Sequence, residues 1–328
     1  MAIVSGSNTT YAGAGGAAAG NREDLEDVIW NLFAQETYCL SNLDHVEASG
    51  VFHEWLKDTL AGAGANIQLE GDASSFATAV IPTRVGNYNQ ISSKSFLVSR
   101  TQEIVAKAGR TSELKRLGMK KMLELKNDME LALVGNQGSA SGDAATARSS
   151  AGMESWISTN IIKATSTSGY LSTGYDAGIV ASATTNGSTT GALTEAAFTA
   201  ALEDAWSAGG MTTIVLTNAA QKAVINGFAG VVTKNIDMSV GSPKQATIIG
   251  ASDMYVSSFG NHQIVLHRHV RTSIVMAIDP SYWAVAFLDR PFVEPRAKVQ
   301  DGQSRYMAAE FCLVARNEKA NAKVVGCS

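Results

Sequence analysis

One long amphipathic segment constrains the fold most: the sequence predicts a helix from about Ser112 to Val134. Thr111 and Ser112 supply capping hydroxyls at its start, and Gly135 follows its end. About 23 residues would span roughly 34 Å. The apolar stripe consists of Leu114, Leu117, Met122, Leu125, Met129 and Leu133. One long face therefore packs against the protein, and the other meets solvent or partners.

Two segments before this helix have the alternation of strands. They run from Val51 to Leu60 and from Tyr88 to Arg100. Neither face of the second segment is apolar along its whole length, and a strand pair without a buried face is poorly stable alone. The pattern predicts a polar hairpin that projects from the protein and is stabilised by a partner. An ordinary edge hairpin is the alternative.

The second half of the chain mixes helices and strands without a βαβ alternation. Thr194 caps a helix that ends near Gly209, and Asn218 caps a shorter helix that ends at Gly227. Strands are predicted at residues 212–217, 247–249, 253–257, 263–270, 273–278, 283–288 and 306–317. The fold class expected from this order is α+β.

The first 20 residues are rich in alanine, glycine and serine and predict a flexible arm. Asn21 then caps a short amphipathic helix with its apolar positions at helical spacing. These positions are Leu25, Val28, Ile29, Leu32 and Phe33. Its apolar face would tie the arm either to the protein's own body or to another subunit.

The composition favours a surface that other chains cover. Charged residues make up 17% of the chain, below the roughly 25% of ordinary soluble domains. The formal net charge of -4 argues against tight wrapping of nucleic acid but allows a container around it. No stretch approaches the ~18 apolar residues of a membrane span, so no membrane partner is expected. Cys39, Cys312 and Cys327 lack CxxC spacing and suggest neither disulfides nor a zinc site.

Signatures of catalysis are missing from the sequence, which has no P-loop, no GxGxxG after a strand and no GxSxG elbow. His267 and His269 would point the same way from a strand and could bind one metal with a third ligand, helped by His262 or Asp253. The competing interpretation is two polar residues on the wetter face of a strand. The sequence favours the second interpretation and predicts no enzyme, no metal and no cofactor.

Ten short segments carry a further signal: residues 21–28 (NREDLEDV), 53–60 (HEWLKDTL), 82–91 (PTRVGNYNQI), 101–110, 124–136, 146–148, 156–160, 253–260, 279–283 and 314–318. In order and spacing they resemble a family of tailed-bacteriophage major capsid proteins. The resemblance implies the Hong Kong 97 type of capsid fold. It would assign residues 1–50 to an N-terminal arm, 51–100 to an extended hairpin loop, 101–150 to a peripheral domain with a long spine helix, 151–280 mainly to an axial domain, and 281–328 to strands that return to the peripheral domain.

The function that this resemblance implies is self-assembly in the host cytoplasm. Pentamers and hexamers would close into the icosahedral capsid of a virion and contact its double-stranded DNA non-specifically. Decoration, portal and scaffolding proteins are candidate partners. Expected exposure favours five residues for contacts between subunits: Trp55, Arg84, Glu113, Lys120 and Glu130. The alternatives are an encapsulin-like nanocompartment shell protein and a metal-dependent soluble enzyme that uses His267 and His269.

Overall fold

The computed structural model describes residues 37–71, 78–164, 175–176, 178–185, 190–228, 254–298 and 301–328. The predicted arm at residues 1–20, the helix that follows it and the strand at 247–249 lie outside these residues, as does Asp253. Among the described residues no helix is both long and apolar enough to cross a membrane.

Helices and strands are mixed along the chain. The helices are α1 Tyr38–Asn42, α2 Arg100–Ile104, α3 Glu113–Val134, α4 Met153–Trp156, α5 Glu195–Ser207 and α6 Ala219–Asn226. The strands are β1 Asp44–Glu47, β2 Phe52–Lys57, β3 Thr83–Tyr88, β4 Gln90–Ser99, β5 Ile161–Lys163, β6 Tyr175–Asp176, β7 Ile179–Val180, β8 Ile214–Thr217, β9 Met254–Ser257, β10 Gly260–Leu266, β11 Ile274–Ile278, β12 Trp283–Pro295, β13 Gly302–Ala315 and β14 Ala322–Val325.

A four-stranded sheet in the order β1-β12-β13-β4 supports the long helix. β12 and β13 form its antiparallel centre, β4 pairs antiparallel with β13, and β1 pairs parallel with β12. Alternate side chains of β13 face the same core as the apolar stripe of α3. Those β13 side chains are Met307, Ala309, Phe311, Leu313 and Ala315. The predicted helix is confirmed. The Ser112 side chain caps it by accepting from the backbone N–H of Lys115.

The opposite face of this sheet carries a two-stranded ribbon made of β2 and β3. Ala284, Ala286, Cys312 and Val314 are buried there, with Val46, Ala48 and Trp55 packed against them. α3 and the ribbon therefore lie on opposite faces of the same sheet.

A six-stranded sheet in the order β5-β14-β11-β8-β10-β9 forms the second body. α5 packs on one face, where Phe198 and Leu202 share a core with Val215 and Val275. Residues of the other face, such as Met276, join the core of the four-stranded sheet. The predicted caps of the two helices are confirmed, since the side chains of Thr194 and Asn218 both accept backbone N–H groups.

The predicted hairpin is wrong in its second strand. β2 pairs with β3, from Phe52 opposite Tyr88 to Lys57 opposite Thr83, while residues 90–99 form β4 beside β13. One face of β4 turns towards α3, where Lys94 forms an ion pair with Asp128 and Phe96 packs against the core. One face of this strand is therefore covered by a charged helix, and the strand pairs with β13 instead of projecting as part of a hairpin.

The last strand also departs from expectation. Residues 281–328 were expected to return to one sheet, but β14 lies between β5 and β11 in the six-stranded sheet. Its side chains Ala322 and Val324 are buried under α5. A short, completely buried strand fits the centre of either sheet, so its pattern does not choose between them.

Candidate assembly surface

The connection between β2 and β3 exposes a series of apolar side chains. Its described parts, residues 58–71 and 78–82, form neither helix nor strand. Ile67 is 91% exposed. Leu60, Leu69, Val80 and Ile81 are exposed to a similar degree. Single exposed apolar residues are ordinary, but five along one connection mark a surface that associates with another molecule. We call residues 58–82 the loop.

Asn87 fixes one strand of the ribbon to the body of the protein. Its side chain is completely buried, and its amide donates to Ser150 Oγ, Ala151 O and Leu313 O at 3.0, 3.2 and 2.7 Å. Its carbonyl oxygen accepts from the Ala151 N–H at 3.0 Å. Because these bonds join β3 both to residues 150–151 and to β13, they fix the base of the loop to the body of the protein.

Trp55 fixes the other strand. Its indole N–H donates to the carbonyl of Ala315 at 2.8 Å, and its ring lies 5.5 Å from the ring of Trp156. Across the ribbon, Phe52 contacts Tyr88 with 4.5 Å between ring centroids. The ribbon thus presents the loop from an ordered base.

A buried carboxylate ties three elements together behind the sheet. Glu130, on α3, is completely buried and accepts from the backbone N–H groups of Cys39 and Leu40 at 2.6 and 2.9 Å. His267 Nε2 lies 2.8 Å from the same carboxylate. A carboxylate at the first turn of α1 satisfies backbone donors that would otherwise lack partners.

The three residues of this cluster also offer donor atoms for a metal. One ligand atom each from Cys39, Glu130 and His267 lies within 4.8 Å of the others. Burial, followed by the charge and hydrogen bond of Glu130, raises the pKa of the Cys39 thiol well above its usual value, which disfavours the thiolate that binds metals. His267 Nδ1 accepts from the backbone N–H of His269 at 3.3 Å. The groups therefore satisfy one another, which fits a hydrogen-bonded network better than a metal centre.

The other histidines considered as metal ligands lie outside this cluster. The His269 ring is 5.6 Å from the His267 ring, and His269 does not belong to the donor cluster. His262 is buried beside Ser257, at 2.8 Å from its hydroxyl. Two histidines at strand spacing thus do not form the pair of ligands that the less favoured interpretation required.

A second buried charged group joins β14 to α4. Lys323 donates to the carbonyl of Glu154 and, at 3.2 Å, to the hydroxyl of Thr184, while Arg271 forms an ion pair with the Glu154 carboxylate. Burial lowers the pKa of Lys323 to about 8 and raises that of Glu154. Each bonded pair of this group joins residues more than a hundred positions apart, so no local pattern predicts it.

A sequence model of the SU10 major capsid protein family matches residues 5–328. The chain belongs to this family. It is a shell-forming major capsid protein of a tailed phage, as the ten matching segments implied. Among curated proteins no significant match was found.

Solved capsid structures share the fold of this SU10-family protein. The capsid asymmetric unit of Cyanophage A-1(L) aligns with a TM-score of 0.64 at 15% identity, covering 94% of this chain and 97% of that one. The structure of Gordonia phage Cozz aligns with a TM-score of 0.61 at 12% identity, covering 98% of this chain and 96% of that one. The capsid of a native GTA particle aligns with a TM-score of 0.64 at 11% identity, covering 98% of this chain and 99% of that one. The expected α+β class and Hong Kong 97-like fold are confirmed.

Three of the five residues predicted for contacts between subunits of this capsid protein are at least partly exposed. Arg84 and Lys120 are exposed, Arg84 lying 3.8 Å from Glu54. Trp55 is half-buried in the ribbon's base.

Two of those predictions are wrong about exposure. Glu113 is buried between Arg110 and Arg116, and the hydrogen bond from Arg116 is the main reason that its pKa is lowered. Glu130 is buried in the network described above. Charged residues on a helix are expected at the surface, and only tertiary contacts reveal these two as internal.

Proposed function

We propose that this capsid protein assembles in the host cytoplasm, through rings of five and six subunits, into an icosahedral shell that encloses double-stranded DNA. It would have no catalytic role. The observation that carries the proposal is the loop, whose exposed apolar side chains are presented from a base anchored by Asn87 and Trp55. An exposed apolar loop on a rigid base is costly for an isolated subunit and useful for one whose neighbours cover it.

The partner surface for the loop is the uncovered face of β4 on a neighbouring subunit. Ile91 and Leu97 are exposed on this face, on the side of the strand that points away from α3. Ser93 and Ser95 lie between them and leave room for an extended segment. Apolar contacts along such a track would bury Ile67 and its neighbours when subunits associate.

The two sheets support a domain assignment. The four-stranded sheet with α3 as spine helix would be the peripheral domain, and the six-stranded sheet with α5 and α6 the axial domain. Residues 52–88 would be the extended loop, with Arg84 at its base, and Lys120 would lie on the exposed side of the spine. The Phage G capsid structure, with a TM-score of 0.52 at 13% identity, contains decoration proteins, which makes decoration proteins candidate partners here, beside portal and scaffolding proteins.

Cryo-electron microscopy of particles made by the full chain tests the proposal. We expect closed shells with fivefold vertices, and nuclease-resistant double-stranded DNA in particles from infected cells. Shells that enclose a protein cargo without nucleic acid would favour the nanocompartment. One equivalent of zinc or iron per chain would favour the metal-dependent enzyme. Stable monomers over a wide concentration range would contradict the proposal.

A further inference from the structure

Basic residues are concentrated in one short part of an acidic protein. The chain has 26 basic and 30 acidic residues. Residues 107–126 contain seven of the basic ones and only Glu113 and Glu124 as acids. The seven are Lys107, Arg110, Lys115, Arg116, Lys120, Lys121 and Lys126. The rest of the chain is therefore strongly acidic, and the charge of this segment needs its own explanation.

The acids of the segment are already paired within the subunit. Glu113 forms ion pairs with Arg110 and Arg116, and Glu124 pairs with Lys121 at 2.7 Å. Lys120 is 4.0 Å from Glu124 and half-exposed. No ion pair among the described residues involves Lys115 or Lys126. Positive charge therefore remains on α3 at the exposed Lys115 and Lys120 and at the partly exposed Lys126.

We call the four basic residues Lys115, Arg116, Lys120 and Lys126 the basic flank of α3. From Lys115 to Lys126 a helix rises about 16 Å, the length of about five base pairs. α3 is rigid because its other side is buried against β4 and β13. The ribbon that bears the loop lies on the far face of the same sheet. The basic flank is thus separated from the surface that we assign to assembly.

We propose that the basic flank of α3 contacts the phosphate backbone of packaged double-stranded DNA. This inference rests on the proposed function. Lysine presents a compact charge without the planar donor pattern that reads bases, so lysine-rich contacts position DNA without choosing a sequence. A few cations on an otherwise acidic subunit contact DNA weakly, which suits a container that must also release its contents.

The acidic run Glu23–Asp27 is the competing occupant of this flank. It belongs to a segment whose apolar side chains, such as Leu25 and Ile29, require an apolar docking surface. Met119 is the only large apolar side chain of residues 107–126 that is exposed on the structure. The flank offers charge without an apolar face, and that favours DNA.

The test measures binding of unassembled full-length subunits to a labelled 30-base-pair DNA of random sequence at increasing salt. The variant is Lys115→Gln/Lys120→Gln/Lys126→Gln. A matched control removes the same charge elsewhere, as Lys222→Gln/Lys298→Gln/Lys319→Gln. Because each phosphate contact contributes about 0.9 to the slope of log affinity against log salt, we expect the variant to reduce that slope by up to about 2.7. Affinity near 0.1 M salt should fall about tenfold or more.

The control should keep the wild-type slope, and DNAs of different sequence should bind alike. Equal losses in variant and control would overturn the inference, because only total charge would then matter. A second full-length variant, Glu23→Gln/Asp24→Asn/Glu26→Gln/Asp27→Asn, tests the competitor: DNA binding that appears only when these acids are removed would show that they occupy the flank. Shell formation by the lysine variant, seen by electron microscopy, separates failure of this inference from failure of the proposed function.

Discussion

The interior of this subunit and its loop reverse the usual distribution of polar and apolar residues. Asn87, Glu130 and Lys323 are completely buried in the interior, each with hydrogen-bond partners from distant parts of the chain. In the loop, Leu60 and Ile67 are almost completely exposed. The interior groups act on the fold of one subunit, whereas the described residues of that subunit leave the loop side chains exposed.

This difference separates two kinds of stability. Buried polar groups are satisfied before assembly, so their loss destabilises the subunit itself. Exposed apolar groups contribute only when a neighbour covers them, so their loss acts on assembly alone. The ribbon of β2 and β3 joins the two regions and lets each be changed independently.

The largest effect on the subunit is expected from Asn87→Ala. The change leaves the buried Ala151 N–H without its Asn87 acceptor and removes the amide's bonds to Ser150 Oγ, Ala151 O and Leu313 O, and we expect a loss of about 3 kcal/mol in the free energy of unfolding. Urea denaturation of unassembled subunits measures it. Asn261→Ala, at an exposed position of β10, is the control and should change the free energy by less than about 0.5 kcal/mol. Equal effects of the two variants would show that the base of the loop is not held by Asn87.

A smaller effect is expected on the way the free energy of unfolding depends on pH. The Lys323 pKa is about 8 in the folded subunit, while an unfolded lysine titrates near ~10.4. Between these values the unfolded state binds more protons, so this residue makes the free energy of unfolding rise with pH.

Comparison of the wild type with Lys323→Met isolates this contribution. Relative to the variant, the wild type should gain on the order of 2 kcal/mol between pH 8 and pH 10.5. Denaturation at a series of pH values measures the difference, in which the titration of other groups cancels. Parallel profiles would mean that Lys323 keeps its proton in the folded subunit.

An effect of about 1 kcal/mol is expected from Trp55→Phe, which removes the hydrogen bond to Ala315 O but keeps an aromatic ring beside Trp156. Thermal unfolding of the subunit is the measurement. Trp206→Phe, on the exposed side of α5, is the matched control and should leave the transition unchanged. If Trp55→Phe unfolds at the same temperature as the control, the hydrogen bond of Trp55 does not help to hold the ribbon.

Much of this fold follows from local sequence signals. The remaining parts are determined by contacts between distant residues. Ser112, Thr194 and Asn218 cap their helices as predicted, because capping needs only neighbouring residues. The pairing of β4 with β13 joins residues about 200 positions apart in sequence, and alternation within β4 cannot show which strand lies beside it.

The candidate site was predicted less completely for the same reason. The ribbon's first strand and the exposure of Arg84 and Lys120 agree with the sequence. Glu130 was expected at the surface, but it caps α1, about 90 residues earlier in the chain, and contacts His267, well over 100 residues later. A carboxylate looks the same in sequence whether water or a helix terminus satisfies it.

The smallest effect on the subunit, and the largest on assembly, is expected in the loop. Leu60→Asp/Ile67→Asp should change the free energy of unfolding by less than about 0.5 kcal/mol, because neither side chain is buried in the subunit. Thr59→Asp/Gln68→Asp adds the same charge at adjacent exposed positions and keeps both apolar side chains.

Electron microscopy of these two variants beside the wild type, at equal subunit concentration, tests the central claim most directly. The account predicts closed shells for the wild type and for Thr59→Asp/Gln68→Asp, and folded, unassembled subunits for Leu60→Asp/Ile67→Asp. Shells of normal size and yield from Leu60→Asp/Ile67→Asp would contradict it, because the apolar loop would then have no part in assembly.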